Sequence, residues 1–316
     1  EEYEILTRLQ RDFPRLRIAR KTHRSPKTAN PAKGLTYERM EKYIRLHENA
    51  DELFDLFQKV QSAGRGYLYV KAWFIKQFPN YKKFEMMYEG RPLSFEVGKM
   101  AELCNSAVLV KYGETTVLVT CTASARPKDG IDYFPLAVDF NEKLYAVGRI
   151  PGSFMRREGK PSLPAVLASR LIDRPMRPLF PSDLRNDVVL SCEVLTIDRD
   201  CSPEITAMIG ASAAVSISDV PFNGPIAGIV LGWDGEKFLF NPTQAERETN
   251  RMITTIAATH KKIVMIESEA DQVPDEVMFE GIVQAHEHLQ PVLDLIDKMV
   301  EEVGKPKFEY SKASFD

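Results

Sequence analysis

The chain has 316 residues, enough for two domains or one large one, and 44% of them are hydrophobic, as expected for a globular protein with a sizeable core. It has neither an apolar run long enough to cross a bilayer nor a secretory signal pattern, which argues against a membrane or secreted protein. Four widely spaced cysteines form no CxxC pair, so we expect reduced, mostly buried thiols in a cytoplasmic protein and no metal site; they are Cys104, Cys121, Cys192 and Cys201.

The composition of residues 1–83 predicts a separate segment. They carry 18 Lys and Arg against 10 Asp and Glu, and their first part is interrupted by prolines and poor in apolar residues, which is typical of loosely ordered chain. Residues 35–60 have helical periodicity and residues 67–78 are rich in aromatics, which indicates short helices. We therefore predict a small helical or partly disordered basic segment of unknown role: an arm that binds nucleic acid, a small helical module, or a segment joined by fusion.

The pattern from Phe84 to Gly304 predicts a single α+β domain. The expected elements are hairpins that turn at residues 89–92, 113–114 and 233–235, strands over 132–147, 188–197, 252–258 and 262–267, and helices over 203–217 and 275–303. Ser162 and Ser202 are the expected N-caps of helices that have a proline in the first turn, and Pro175 and Pro178 are expected to end the first of these. Strands and helices alternate too irregularly for a doubly wound fold, so we expect a mixed sheet packed with helices.

Positive charge is concentrated in one stretch of this acidic domain. Between Lys143 and Arg185 nine residues are basic and three are acidic, although the whole chain has a net charge of −3. Within it a Pro-Gly-Ser turn leads to an aromatic ring and two adjacent arginines, Phe154, Arg156 and Arg157. Guanidinium groups bind phosphate and an aromatic ring stacks on an unpaired base, so the loop suits a single RNA strand; the alternative is a solvated turn that leads into an ordinary helix.

The residues predict no catalytic or metal site. The motifs of nucleophilic hydrolases, P-loop enzymes, zinc proteases and dinucleotide-binding proteins are missing from the sequence. His286 and His288 are two apart, so on a helix they would point in nearly opposite directions and could not share an ion. Asp198 and Asp200 follow a predicted strand and are more typical of a cap than of an acid/base pair.

Several long motifs in a fixed order carry a family resemblance. They are DFNEKLYAVGRIPGSF and RREG within residues 139–159, SRLIDRPMRPLFP at 169–181, FNPT at 240–243 and VMIESEA at 264–270. Together they closely resemble the first ribonuclease-PH-like domain of bacterial polynucleotide phosphorylases, over Phe84 to about Gly304. Residues 1–83 do not match that family, and the resemblance implies that residues 305–316 begin a helical linker.

The resemblance also implies a function. Members of the family are homotrimers that degrade RNA from 3′ to 5′ by phosphorolysis in mRNA decay, and RNA-degradation machinery is a further expected partner. Inorganic phosphate is the co-substrate and Mg²⁺ assists, but both act in a second domain that this chain lacks. The chain would then be a non-catalytic half that binds single-stranded RNA, with little base specificity, and helps to form the trimer.

The resemblance assigns RNA binding to the arginine-rich loop and to the helix after it. The expected residues are Phe154, Met155, Arg156, Arg157, Lys160, Arg170, Arg174 and Arg177. Met155 stands where the family commonly has an aromatic residue, which weakens stacking at that position. Arg170, Arg174 and Arg177 either line an RNA channel or pair with Asp173 and a neighbouring element, and the structural alternative is favoured for them.

Active members of the family hold their metal with two aspartates six residues apart, just after the strand that corresponds to residues 238–241. Here Ala245 and Arg251 occupy those positions, and Glu246 and Glu248 have the wrong spacing, so we interpret them as surface residues. Without the carboxylate pair, phosphoryl transfer would lack its ion. Two alternatives remain open: an active phosphorolytic domain with a relocated carboxylate pair, and a structural fragment without RNA affinity.

Overall fold

The computed structural model describes residues 78–128, 130–152, 154 and 157–310, so the predictions for residues 1–77 lie outside the described residues. A six-stranded sheet has the order β1-β2-β3-β4-β6-β5 within a unit that begins at Asn80. Its strands are β1 (Lys82–Tyr88), β2 (Arg91–Val97), β3 (Ser106–Tyr112), β4 (Thr115–Pro127), β5 (Leu136–Glu142) and β6 (Asn186–Thr196). Only β5 and β6 pair in parallel in this first sheet, so it is mixed.

A second, four-stranded antiparallel sheet has the order β10-β9-β7-β8. Its strands are β7 (Ala227–Trp233), β8 (Phe238–Phe240), β9 (Met252–Ala258) and β10 (Ile263–Ala270). The α-helices of the described part are α1 (Leu163–Met176), α2 (Pro203–Ile217), α3 (Gln244–Thr249) and α4 (Asp275–Val303). Strands and helices therefore form the α+β architecture that the sequence predicts, with two sheets in place of one.

Helix α2 forms the centre of the hydrophobic core and contacts strands of both sheets. Ser202 caps it by accepting a hydrogen bond from the backbone N–H of Ile205, and Pro203 occupies the first helical position, as predicted. The helix is rich in small residues, which allows close approach. A Cβ at Gly210 would lie 2.6 Å from Cγ1 of Val110 and 2.9 Å from Cγ2 of Val119, so this position needs glycine.

Two sequence predictions about the elements beside the candidate site are wrong. Helix α1 does not end before Pro175 but includes it, because proline so near the end removes little of the helix and the N–H of Arg177 still bonds to the carbonyl of Asp173. A 3₁₀ turn, Arg177–Leu179, continues the chain through Pro178. The predicted strand 132–147 is strand only over β5, and Leu144–Val147 is a 3₁₀ helix.

Cys121, Cys192 and Cys201 are buried, Cys104 is partly exposed, and all four are free thiols. Residues 305–310, where the start of a helical linker is predicted, have neither helix nor strand, and residues 311–316 lie outside the described part. This segment packs against the C-terminal end of α2, where the ammonium group of Lys307 donates to the carbonyls of Val215, Ser216 and Ser218.

Candidate RNA-binding surface

The loop between β5 and α1, residues 143–162, is attached to the first sheet at its start. The ammonium group of Lys143 lies 2.5 Å from a carboxylate oxygen of Glu193 on β6, and the other oxygen of Glu193 accepts from Asn141 at 2.9 Å and Ser191 at 3.1 Å. Burial alone would raise the pKa of Glu193, but the hydrogen bonds from Lys143 and Asn141 outweigh burial and lower it. The carboxylate is therefore held in its charged form, which fixes Lys143.

The tip of this β5–α1 loop presents an aromatic ring and cationic groups to solvent. The side chain of Phe154 is fully exposed, with a relative accessibility of 102%. Arg149, Arg157 and Lys160 are also exposed, and within the described residues their side chains have no ion-pair partner. Ser153, Met155 and Arg156 lie outside the described residues. The described part of the tip thus offers the unpaired charge and free ring face that the sequence predicts.

Helix α1 divides into a buried face and an exposed face. Ala165, Ala168 and Ile172 pack inward, and Ser169 links the helix to β5 because its hydroxyl accepts from the N–H of Phe140 at 3.2 Å. The exposed stripe consists of Leu163, Val166, Leu167, Arg170 and Arg174. Ser162 begins the helix as predicted, accepting from the N–H of Ala165. The loop and the exposed stripe therefore follow each other directly along the chain.

The three helix arginines have different surroundings. Arg170 is exposed, and among the described residues it has no partner. Arg174 lies 3.6 Å from Glu267 on β10, and because both side chains are more than half exposed, this pair contributes at most about 1 kcal/mol. Arg177 is held by four hydrogen bonds of 2.7–3.1 Å. It donates to both carboxylate oxygens of Asp173 and to the backbone carbonyls of Phe134, just before β5, and Leu136, the first residue of β5. Its geometry fits the structural alternative.

The positions that the resemblance assigns to metal-binding aspartates lie in and after α3. Ala245 is exposed on that helix, and Arg251 lies over the ring of Trp233 and donates to a backbone carbonyl. Glu248 is exposed and Glu246 partly exposed, and the carboxylate of Glu246 accepts from Thr243 and completes a capping box. Those hydrogen bonds lower the pKa of Glu246. The residues at these two positions do not fit a Mg²⁺ ion.

Other polar residues that might suggest chemistry are engaged in structural contacts. Asp198 accepts from the N–H groups of Asp200 and Glu114, which lowers its pKa, and Asp200 accepts from the first residue of α3. His286 lies 3.0 Å from the carbonyl of Thr259, whereas His288 lies 2.8 Å from a carboxylate oxygen of Glu89 and stacks on Phe240. No group of three metal-ligating side chains occurs among the described residues.

Sequence reasoning missed the residues that hold the loop in place. These are Lys143, Glu193 and Glu158, whose carboxylate accepts from the backbone N–H of Leu144 at 3.1 Å. Their separations along the chain, 14 residues for the last pair, follow no local rule, because only the tertiary fold brings them together. The one sequence signal was the single acidic residue in an otherwise basic loop, Glu158.

The described part of the chain contains no helix that is long and apolar enough to span a membrane.

Two family models match the unit that contains this surface. The model described as 3′ exoribonuclease family, domain 1, matches residues 89–221, and the model described as 3′ exoribonuclease family, domain 2, matches residues 224–288. The first match contains strands β2 to β6 of the first sheet, α1 and α2, and the second contains the second sheet and the beginning of α4.

Curated relatives agree with the family models. A polyribonucleotide nucleotidyltransferase of Ruminiclostridium cellulolyticum is 54% identical over 233 residues, which are 74% of this chain and 33% of that protein. One from Clostridioides difficile is 50% identical over 72% of this chain and 32% of its own length. The chain thus spans about a third of the length of these relatives. The crystal structure of rice (Oryza sativa) Rrp46 superposes with a TM-score of 0.55 at 13% identity, over 66% of this chain and 95% of that one, which supports the fold alone.

Proposed function

We propose that this chain, which belongs to the 3′ exoribonuclease family of ribonuclease-PH-like proteins, is the RNA-binding and non-catalytic first half of a polyribonucleotide nucleotidyltransferase. Its resemblance to bacterial polynucleotide phosphorylases is confirmed by relatives that are about half identical to it over nearly three quarters of its length. The observation that carries the RNA-binding role is the fully exposed ring of Phe154, three residues before the exposed and unpaired Arg157 within the described part of the loop.

Each side chain on the surface has a physical role in this proposal. Arg157 and Lys160 bind phosphate oxygens of the RNA, and Arg149 and Arg170 extend the positive surface on which the RNA strand lies. Phe154 stacks on a base, which is sequence-tolerant because every base has a π face. Arg156 and Met155 remain predicted members of this surface. Arg174 contributes to RNA binding because its guanidinium is only weakly held by Glu267, whereas Arg177 stabilises the fold.

The phosphorolytic reaction is proposed for the whole protein and not for this chain. In this proposal Mg²⁺ and inorganic phosphate act in a second domain, where phosphate attacks the terminal phosphodiester and releases a nucleoside diphosphate. The occupants of the corresponding positions here, Ala245 and Arg251, support this division because neither side chain is a ligand for Mg²⁺. A homotrimer in the cytoplasm, acting in mRNA decay, is part of the same proposal.

The test measures RNA binding and phosphorolysis on the same preparation. We expect the chain to bind a labelled single-stranded RNA with an affinity that falls as salt rises, and to release no nucleoside diphosphate when Mg²⁺ and phosphate are added. Arg157→Ala should weaken binding and reduce the slope of log K against log salt by about 0.7, the value for one phosphate contact on a single strand.

Lys261→Ala is the matched control, since it removes one exposed positive charge from the turn between β9 and β10, far along the chain from the loop. It should leave affinity and slope close to those of the original chain. Equal losses of RNA affinity in both variants would mean that RNA is attracted by the overall charge of the protein and not by the loop. If the original chain bound no RNA at all, only the alternative of a structural fragment without RNA affinity would remain. Phosphate-dependent diphosphate release that persists on repurification would contradict the non-catalytic assignment.

A further inference from the structure

The 3₁₀ helix at the start of the β5–α1 loop is capped by a distant residue. Its own N-cap residue, Lys143, supplies no capping hydrogen bond, because an ammonium group can only donate, and this one contacts Glu193. The first helical N–H, that of Leu144, instead donates to the carboxylate of Glu158 at 3.1 Å. This hydrogen bond joins residue 144 to residue 158 and so draws the two ends of the loop tip together.

The charge of Glu158 is unfavourable for the role proposed for this loop. It is the only acidic residue between Lys143 and Ser162, a segment that also contains five basic residues. A carboxylate next to Arg157 repels an approaching phosphate, so on electrostatic grounds alone it lowers RNA affinity. Its hydrogen bond to Leu144 gives a physical reason for its presence, because a contact that fixes residue 158 before RNA arrives reduces the entropy lost on binding.

We propose that Glu158 is a positioning residue for RNA binding, which acts by holding the tip closed through its hydrogen bond to the N–H of Leu144. A continuous set of contacts then connects the sheet to the RNA-binding group: Glu193 on β6 fixes Lys143, the adjacent Leu144 fixes Glu158, and Glu158 is bonded to Arg157 through the backbone. This inference rests on the proposed RNA-binding function of the loop and adds to it the residue that determines its geometry.

Two substitutions separate the acceptor of Glu158 from its charge. Glu158→Gln keeps an oxygen that can accept from Leu144 and removes the negative charge, so RNA affinity should stay the same or rise. Glu158→Ala removes both, and we expect affinity to fall about three- to tenfold relative to Glu158→Gln, the size of one hydrogen bond. If Glu158 acted only through its negative charge, both variants would bind RNA equally and more tightly than the original chain.

The experiment compares the original chain, both Glu158 variants and Arg157→Ala by RNA binding, together with the rate of limited trypsin cleavage after Arg149, a bond whose own residues are unchanged in these variants. Glu158→Ala should bind more weakly than Glu158→Gln and be cleaved faster, whereas Glu158→Gln should be cleaved like the original chain. Glu158→Ala binding as tightly as Glu158→Gln, while Arg157→Ala binds weakly, would overturn the positioning role alone. Failure of the original chain to bind RNA, or unchanged binding by Arg157→Ala, would instead overturn the proposed function.

Discussion

Arg170 and Arg177 are seven residues apart, in α1 and in the 3₁₀ turn that follows it, but we expect their replacement by glutamine to have opposite consequences. Arg177 donates to four oxygen atoms, two on Asp173 and one each on Phe134 and Leu136, and so ties the end of α1 to the start of β5. At about 0.5–1.5 kcal/mol for each hydrogen bond, and with a discount because the side chain is 42% exposed, Arg177→Gln should lower the free energy of unfolding by about 1–3 kcal/mol.

Arg170→Gln removes the same charge from a side chain without a partner in the described structure, so its effect on unfolding should stay within about 0.5 kcal/mol. It should weaken RNA binding and make it less salt-dependent, whereas Arg177→Gln should change RNA affinity less than twofold once the protein is fully folded. Urea unfolding and salt-dependent filter binding on the two variants measure both quantities. If Arg177→Gln unfolds like the original chain and loses RNA affinity as Arg170→Gln does, the structural assignment of Arg177 is wrong.

Two further predictions concern the fold. Gly210→Ala should destabilise the protein by about 1–3 kcal/mol in urea unfolding despite the better helix propensity of alanine, because its Cβ overlaps Val110, and Val110→Ala should recover part of that loss. Burial alone would lower the pKa of His260, but its hydrogen bonds to Gln290 and Asp297 outweigh burial and raise it. The contribution of His260 to the free energy of unfolding should therefore be fully present below its unfolded pKa of about 6.5 and be lost as pH rises through the raised pKa of the folded state. Asp297→Asn should make the free energy of unfolding depend less on pH, measured from pH 5.5 to 8.5.

The elements predicted correctly are those that short-range sequence signals specify. The turn at Gly113 is an example, since its positive φ of 56° and a Cβ position 2.5 Å from the sulfur of Cys201 both require glycine. The long helix is correct to the residue, Asp275–Val303, because its apolar period continues over eight turns. The end of α1 is not specified by Pro175, since whether a proline ends a helix depends on the contacts that follow it, here those of Arg177.

The candidate site was predictable in composition but not in arrangement. The sequence shows a ring and several cations in one loop, and the i, i+4 spacing of Asp173 and Arg177 indicates their pairing. It does not show which arginines keep free guanidinium groups, because the carbonyls that bind Arg177 are 41 and 43 residues away along the chain. The hydrogen bond that closes the loop, from Leu144 to Glu158, is equally invisible without the fold.

We expect RNA binding by this chain to be independent of the positions at which the family resemblance expects metal ligands, because the two lie on different sheets. The proposed RNA-binding loop follows β5, an edge strand of the first sheet, and its anchors lie on that sheet. The positions at which the family resemblance expects metal ligands lie in and after α3, which follows β8 at the edge of the second sheet. The contacts of Lys143 and Glu158 do not involve these positions, and Glu246 beside them completes a helix cap. Under the proposed function we therefore expect a chain that binds RNA without cleaving it, and the paired binding and phosphorolysis assays test this directly.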